Sequence, residues 1–178
     1  GWTHSAATPT YTIDTWNVSS TSKSYSATHS AFASGPTSKN IMDLYSPLIN
    51  IPAGASVLQF SFWHNYNFQS RRDGGVLEFS TDGGTTWFDV SSSGSGAAFV
   101  TGTYPNTISS SSSPINGRSA WTGNASAAWS QVVLNLTDTA KYAGKAFRAR
   151  WRLTTNTGTA STGWYIDDVL LTGAVAAV

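Results

Sequence analysis

The sequence predicts an all-β chain folded as a single-domain antiparallel jelly-roll β-sandwich, and three observations carry that prediction. Hydrophobicity recurs with period two rather than 3.6. Asp-Gly steps and other turn signals punctuate short apolar runs. The 178 residues suffice for one full core and fall short of two.

The alternation is clearest in "SVLQFSFWHNYNF" (56–68). Leu58, Phe60, Phe62, His64, Tyr66 and Phe68 share one face; Gln59, Ser61, Trp63, Asn65 and Asn67 share the other. That is a strand with one face on a core. "GVLEFS" (75–80) follows, then "TDGGTTWFDV", where Asp-Gly marks a hairpin because type I′ turns need positive φ. "SQVVLNL" (130–136), "AFRARWRLTT" (146–155) and "GWYIDDVLLTG" (163–173) read as further strands. Residues 12–19, 29–34 and 41–51 supply the N-terminal ones, and "TDTAKYAGK" (137–145) has room for one helical turn. Eight or nine such strands make a sandwich. The Ser/Gly-rich stretch 91–123 reads as a long excursion, because strands resume directly after "GRSAWTG". The domain is placed at 1–173, with 174–178 as a tail or the start of a linker.

Composition removes several function classes. Ten Lys and Arg stand against nine Asp and Glu, a balance that argues against a nucleic-acid binder, which needs a clustered positive face. No Cys is present, so disulfides, thiolate zinc sites and cysteine nucleophiles are excluded. No apolar run approaches the roughly 20 residues of a membrane helix. Glu78 is the sole Glu, and no His-Glu-x-x-His or Gly-x-Ser-x-Gly run exists, so an enzyme is not expected. A cryptic glycoside hydrolase is the least favoured reading. His64 and Glu78 are expected to hydrogen-bond each other as a structural pair at the core edge.

Calcium takes hard oxygen ligands, and Asp73, Asp167 and Asp168 are the candidates. Asp82 sits where a hairpin needs Asp-Gly anyway. Asp73 opens a strand after "QSRR", as a ligand or as a turn residue. Asp167 and Asp168 lie inside the apolar run "WYIDDVLL", which is costly unless they are paired or metal-bound. Period two sends them to opposite faces, so one faces inward or sits at a bulge, where calcium and an arginine are equal alternatives. In "FRARWR", Arg148, Arg150 and Arg152 share one face. That face is either a solvated, edge-protecting surface or a row of guanidinium forks able to hold carboxylates or sugar hydroxyls. Eight Trp exceed what a core of this size requires, and exposed indoles make platforms for sugar rings. Trp63, opposite the Phe60/Phe62 face, and Trp121, in the polar excursion, are the best exposed candidates. Arg118 and Arg150 join them as ligand-binding residues; burial under a loop is the competing reading for both indoles.

Taken in order, "GWTHS", "HSAFAS", "LYSPLINIPAGASVLQFSFWHNY", "DGGVLEFSTDGGTTW", "INGRSAWTGNA" and "GWYIDDVLLTG" resemble a bacterial MAM-like jelly-roll accessory domain. This type is appended to immune-inhibitor-A-type metallopeptidases and other secreted or cell-surface multidomain proteins. The resemblance implies a non-catalytic module beside other domains of its parent, often with a structural calcium; Asp73 and Asp167 or Asp168 match its acidic positions. Related chains often carry an acidic residue just after the "HSAF" strand, where this one has "ASGPTSKN". The expectation is therefore an extracellular module binding glycan or a cell-surface polymer, the alternative being a spacer or assembly domain with no small ligand.

Overall fold

The computed structural model describes residues 1–19, 23–26, 28–125 and 128–175. Over these, two antiparallel six-stranded sheets face each other. The first runs β1 (Thr3–Ala6), β4 (Asn40–Tyr45), β13 (Ala146–Thr155), β7 (Gly74–Ser80), β8 (Phe88–Asp89), with β5 (Ile49–Asn50) paired to the start of β13. The second runs β2 (Asn17–Ser19), β3 (Ser30–Gly35), β14 (Ser161–Val175), β6 (Ala55–Asn67), β12 (Ser130–Leu136), β9 (Ala97–Thr101). β10 (Asn106–Thr107) and β11 (Ser119–Ala120) form a small ribbon. Successive long strands alternate between sheets, β6 to β7 and β12 to β13, which is a jelly-roll sandwich.

Alternation becomes burial strand by strand. On β13, Phe147, Ala149, Trp151 and Leu153 are fully buried while the three arginines take the other face. Phe60 on β6 meets Phe79, Phe147 and Trp151 across the sandwich at ring separations of 5.0, 6.0 and 5.9 Å. Each such side chain contributes about 1.5–3 kcal/mol by leaving water. The anticipated helical turn is α1 (Thr139–Tyr142), whose capping Asp138 accepts a hydrogen bond from the Lys141 N–H. No helix among the described residues is long and apolar enough to cross a membrane.

The excursion at 91–123 is packed. It carries β9 to β11 and buries Tyr104, Ile108 and Ile115, and the Tyr104 hydroxyl accepts the Leu77 N–H at 2.8 Å. Trp121 is buried with them, 1% exposed, against Phe62, Tyr104 and Trp164, its indole N–H donating to the Gly102 carbonyl at 2.9 Å. An exposed platform at Trp121 is therefore corrected: its residue pairs with Gly75 as a β-bridge, which turns the indole into the core.

The two Asp-Gly-Gly segments differ in kind. Gly83 and Gly84 adopt φ of 78° and 103°, and the Asp82 carboxylate accepts from the Thr85 and Thr86 N–H groups, so this one is turn chemistry. Gly74 and Gly75 make no turn. A Cβ on Gly75 would lie 2.4 Å from the Trp164 ring, so these glycines admit a core indole to the backbone. The anticipated His64–Glu78 pair does not form. His64 lies between the sheets, accepting the Trp164 indole N–H at 3.3 Å, whereas Glu78 points out from the opposite sheet.

Candidate functional site

Outward positions of the second sheet bring aromatic rings together from separate elements. Tyr165 on β14 lies opposite Phe32 on β3, and two residues along β14 Asp167 lies opposite Trp63 on β6. Phe32 and Tyr165 stack at 4.4 Å; Tyr165 meets Trp129, just before β12, at 6.3 Å. Trp129 meets Tyr25 at 6.2 Å, and Tyr25 lies flat on Trp63 at 3.7 Å with 9° between planes. The result is a five-ring strip across the outer face, with the Lys23 ammonium 5.2 Å from the Tyr165 ring centre. Tyr25 is 45% exposed and the other four rings are half-buried. Such a surface offers flat apolar area with phenol hydroxyls at its margins, the combination that stacks against a sugar's apolar face.

The Asp-Asp pair of β14 organises one end of this strip. A bulge falls between Asp167 and Leu170, and Asp168 takes φ of 45°. Asp167 accepts the backbone N–H groups of Tyr25 at 2.8 Å, Ser26 at 3.2 Å and Asp168 at 2.8 Å, while Asp168 accepts the Ser26 hydroxyl at 2.5 Å. Backbone amides and a hydroxyl, rather than an arginine, hold these carboxylates. Pinning residues 25 and 26 is what lays Tyr25 on Trp63. Of this strip, sequence reasoning found Trp63 and missed Tyr25, Phe32, Trp129 and Tyr165. Period two places Tyr165 on the same face of β14 as Asp167, which was an available signal.

The first sheet's outer face carries an ion network. Arg150 donates through Nε to Glu78 Oε2 at 2.8 Å and its Nη2 reaches the same oxygen. Arg118 bridges Glu78 and Asp89, each at 2.7 Å, and Arg152 makes a bidentate pair with Asp43 at 2.9 Å. The Trp87 ring covers the Arg150 guanidinium at 4.3 Å. Burial alone would push the Glu78 carboxyl up, but Arg150, Arg152 and Arg118 outweigh it and hold it below the usual range. Arg118 and Arg150 therefore spend their forks on internal carboxylates, a correction to their assignment as ligand contacts. The solvated-face reading fails for Arg150 and Arg152 for the same reason: β13 is central, and Glu78 and Asp43 on its neighbours face them, whereas Arg148 faces Ser80 and donates to the Ser46 carbonyl.

Asp73 lies elsewhere, 1% exposed, accepting the Asn156 N–H at 2.7 Å. Around it, Gln69 Oε1 and both amide atoms of Asn156 are buried without a hydrogen-bond partner among the described residues. A Cβ on Gly158 would sit 2.7 Å from both Gln69 Oε1 and Asn156 Oδ1, so these two oxygens converge. One carboxylate and two amide oxygens fit a hard, oxygen-seeking cation, with a single formal charge to hold it. Burial pushes the Asp73 carboxyl up to about 6, against the opposing Asn156 hydrogen bond and the Arg72 charge. Asp167 and Asp168 do not join Asp73, and among the described residues no three His, Cys, Asp or Glu gather as a metal site.

Comparisons with known proteins agree with the sandwich. The K2 cleaved adhesin domain of Lys-gingipain superposes with a TM-score of 0.56 at 12% identity, covering 96% of this chain and 88% of that one. The K1 adhesin domain of Lys-gingipain from Porphyromonas gingivalis W83 gives 0.52 at 14% identity, covering 97% and 90%. The enzymatically active domain of tailspike protein 4 from bacteriophage CBA120 gives 0.55 at 12% identity; the match covers 97% of this chain and 19% of that one, so the chain spans about a fifth of the tailspike structure. Among curated proteins none matches significantly. The Reelin subrepeat B family model matches residues 46–172, from just after β4 into β14, taking in Trp63, Trp129, Tyr165 and the bulge while Tyr25 and Phe32 lie before it, and the chain belongs to that family.

Proposed function

We propose that this chain is a non-catalytic accessory module of a secreted or cell-surface multidomain protein, and that it binds glycan or a cell-surface polymer through its aromatic strip. The observation that carries this is the continuity of five rings on one outer sheet face, supplied by four stretches distant in sequence. The resemblance to modules appended to immune-inhibitor-A-type metallopeptidases supports the setting beside other domains. Against catalysis stand the three guanidiniums that close off Glu78 and the burial that holds His64 neutral, its pKa lowered to about 3. The convergent amide oxygens of Gln69 and Asn156, with the Asp73 carboxylate bonded to the Asn156 N–H, would hold a calcium ion in a stabilising role.

Affinity electrophoresis through gels containing soluble polysaccharides, with a glycan array for the wild-type chain, tests the reading. Retardation by one polysaccharide class is expected, lost in Trp63→Ala and Tyr25→Ala at unchanged unfolding temperature. A loss of at least about tenfold corresponds to about 1.4 kcal/mol. No retardation and no array signal would overturn glycan binding. The strip would then be a contact surface for a neighbouring domain, as the flat cover of Tyr25 over Trp63 already permits.

A further inference from the structure

A second feature of the molecule adjoins the strip at the Asp167–Asp168 bulge but shares none of its five rings. Where β3 leaves β14, the facing edges of the two sheets open into a cleft of about 490 Å³, within the size range of small-molecule sites. Its floor is apolar and buried: Trp16, Leu44 and Ile166. Trp2 forms one wall, 47% exposed and braced against Trp151 at 5.5 Å. At the mouth stand Asp167 and the exposed Asp168, brought there by the bulge.

The charges of this lining are one-sided. It includes two carboxylates and no Lys or Arg. Its imidazoles are engaged locally, His4 Nδ1 with Asp14 at 2.7 Å and His29 Nδ1 with the Thr28 hydroxyl at 2.6 Å. The Asp167 oxygens take three backbone N–H groups, while Asp168 takes one hydroxyl through Oδ1, and among the described residues no hydrogen-bond partner falls on its Oδ2. An indole and an exposed carboxylate lining one cleft, over an apolar floor, suit a cation with an alkyl shell. The ring attracts the positive charge, the carboxylate compensates it and the floor takes the methyl groups. A neutral sugar would stack on Trp2 but leave the acidic charge uncompensated.

We propose that this cleft binds an alkylammonium group, with Trp2 as its aromatic wall and Asp168 as its counter-ion. The site does not depend on glycan binding at the strip, and the two can fail separately.

Choline chloride is the probe, at ionic strength matched with sodium chloride, and 3,3-dimethylbutan-1-ol is its uncharged isostere. The readout is the set of indole N–H resonances in ¹H–¹⁵N spectra, with the Trp2 signal identified by its loss in Trp2→Phe. The expected result is a saturable millimolar shift of the Trp2 indole with choline and none with the isostere. Asp168→Asn should weaken the choline titration by at least about tenfold. Asn tolerates the left-handed backbone there, so this variant retains the bulge. Trp63→Ala should leave the titration unchanged. Equal shifts from the isostere, a choline shift centred on Trp63, or no saturable shift at Trp2 would each overturn the proposal. A shift with neutral methyl glycosides and none with choline would make the cleft a sugar site instead.

Discussion

The two outer faces of this sandwich handle the same problem, strand positions that point away from the core, with opposite chemistry. On the first sheet, Arg118, Arg150 and Arg152 meet Asp43, Glu78 and Asp89 and leave little charge unpaired. On the second, Phe32, Tyr165, Trp129, Tyr25 and Trp63 meet one another along the strip, with the Lys23 ammonium over Tyr165, and stay partly open. The contrast shows that ionisable residues are a poor guide to function in a chain with so few of them. Those that cluster are consumed by one another, because a buried guanidinium without a carboxylate is too costly to keep. Aromatic rings carry no such debt of charge and can remain exposed for a ligand.

The contrast breaks most sharply at Glu78. Glu78→Gln leaves Arg150 and Arg118 short of a carboxylate in a largely buried setting, and a loss of about 3–5 kcal/mol is expected. Urea denaturation reads it, and polysaccharide binding by the fraction still folded should be unchanged. If binding falls while stability holds, the ionic face is the functional one and the comparison is inverted. Gly75→Ala comes next. Its methyl would enter the Trp164 ring, and overpacking of this kind costs about 1–3 kcal/mol. A change in the other Asp-Gly-Gly, Gly83→Ala, strains only a surface turn and should lower the unfolding midpoint less.

On the aromatic face the order of effects reverses. Trp63→Ala should cost binding and leave the fold nearly intact, since the ring is half-buried on the outer face and Tyr25 is its ring partner among the described residues. If the midpoint collapses as it does for Glu78→Gln, the strip is structural. Asp167→Asn sharpens the same test. It keeps the shape but places an amide where the Tyr25 and Ser26 N–H groups need an acceptor, freeing Tyr25 from Trp63. A change in polysaccharide affinity with a small stability loss, about 1 kcal/mol, is expected.

How much of this was legible depends on whether the signal was local. β12 at Ser130–Leu136 and β13 at Ala146–Thr155 coincide with their alternating runs, because alternation is written along one strand. The Arg148–Arg152 row was equally visible, but its partners Asp43 and Glu78 come from β4 and β7, and which strands flank β13 is a matter of topology. Trp121 misled because polar neighbours surround it in sequence, while its bridge to Gly75 turns it inward. The strip draws single rings from several elements, and no stretch of sequence contains two that touch. β1 at Thr3–Ala6 went unread, four residues being too short for a period to show.

The smallest expected effect concerns the carboxylate that belongs to neither face. Glu78 has three arginines and is held low; Asp73 has buried amides, one backbone N–H and the Arg72 charge nearby, and burial raises it to about 6 from 3.8. Unfolded, Asp73 would ionise near pH 4. Folded and metal-free, it keeps its proton until about pH 6. Its protonated form therefore favours the fold fully below about pH 4, and that contribution is lost as pH rises through about 6. A calcium ion held by Asp73, Gln69 and Asn156 needs the ionised carboxylate, so the metal's contribution must grow across the same window. Unfolding midpoints in calcium-free and calcium-supplemented buffers should thus coincide near pH 4 and separate above pH 6. Asp73→Asn should remove both the separation and the metal-free decline. Curves that never separate would leave Asp73 a buried acid without a metal. Curves that separate equally in Asp73→Asn would move the ion elsewhere, and the bulge carboxylates Asp167 and Asp168 would be next to test.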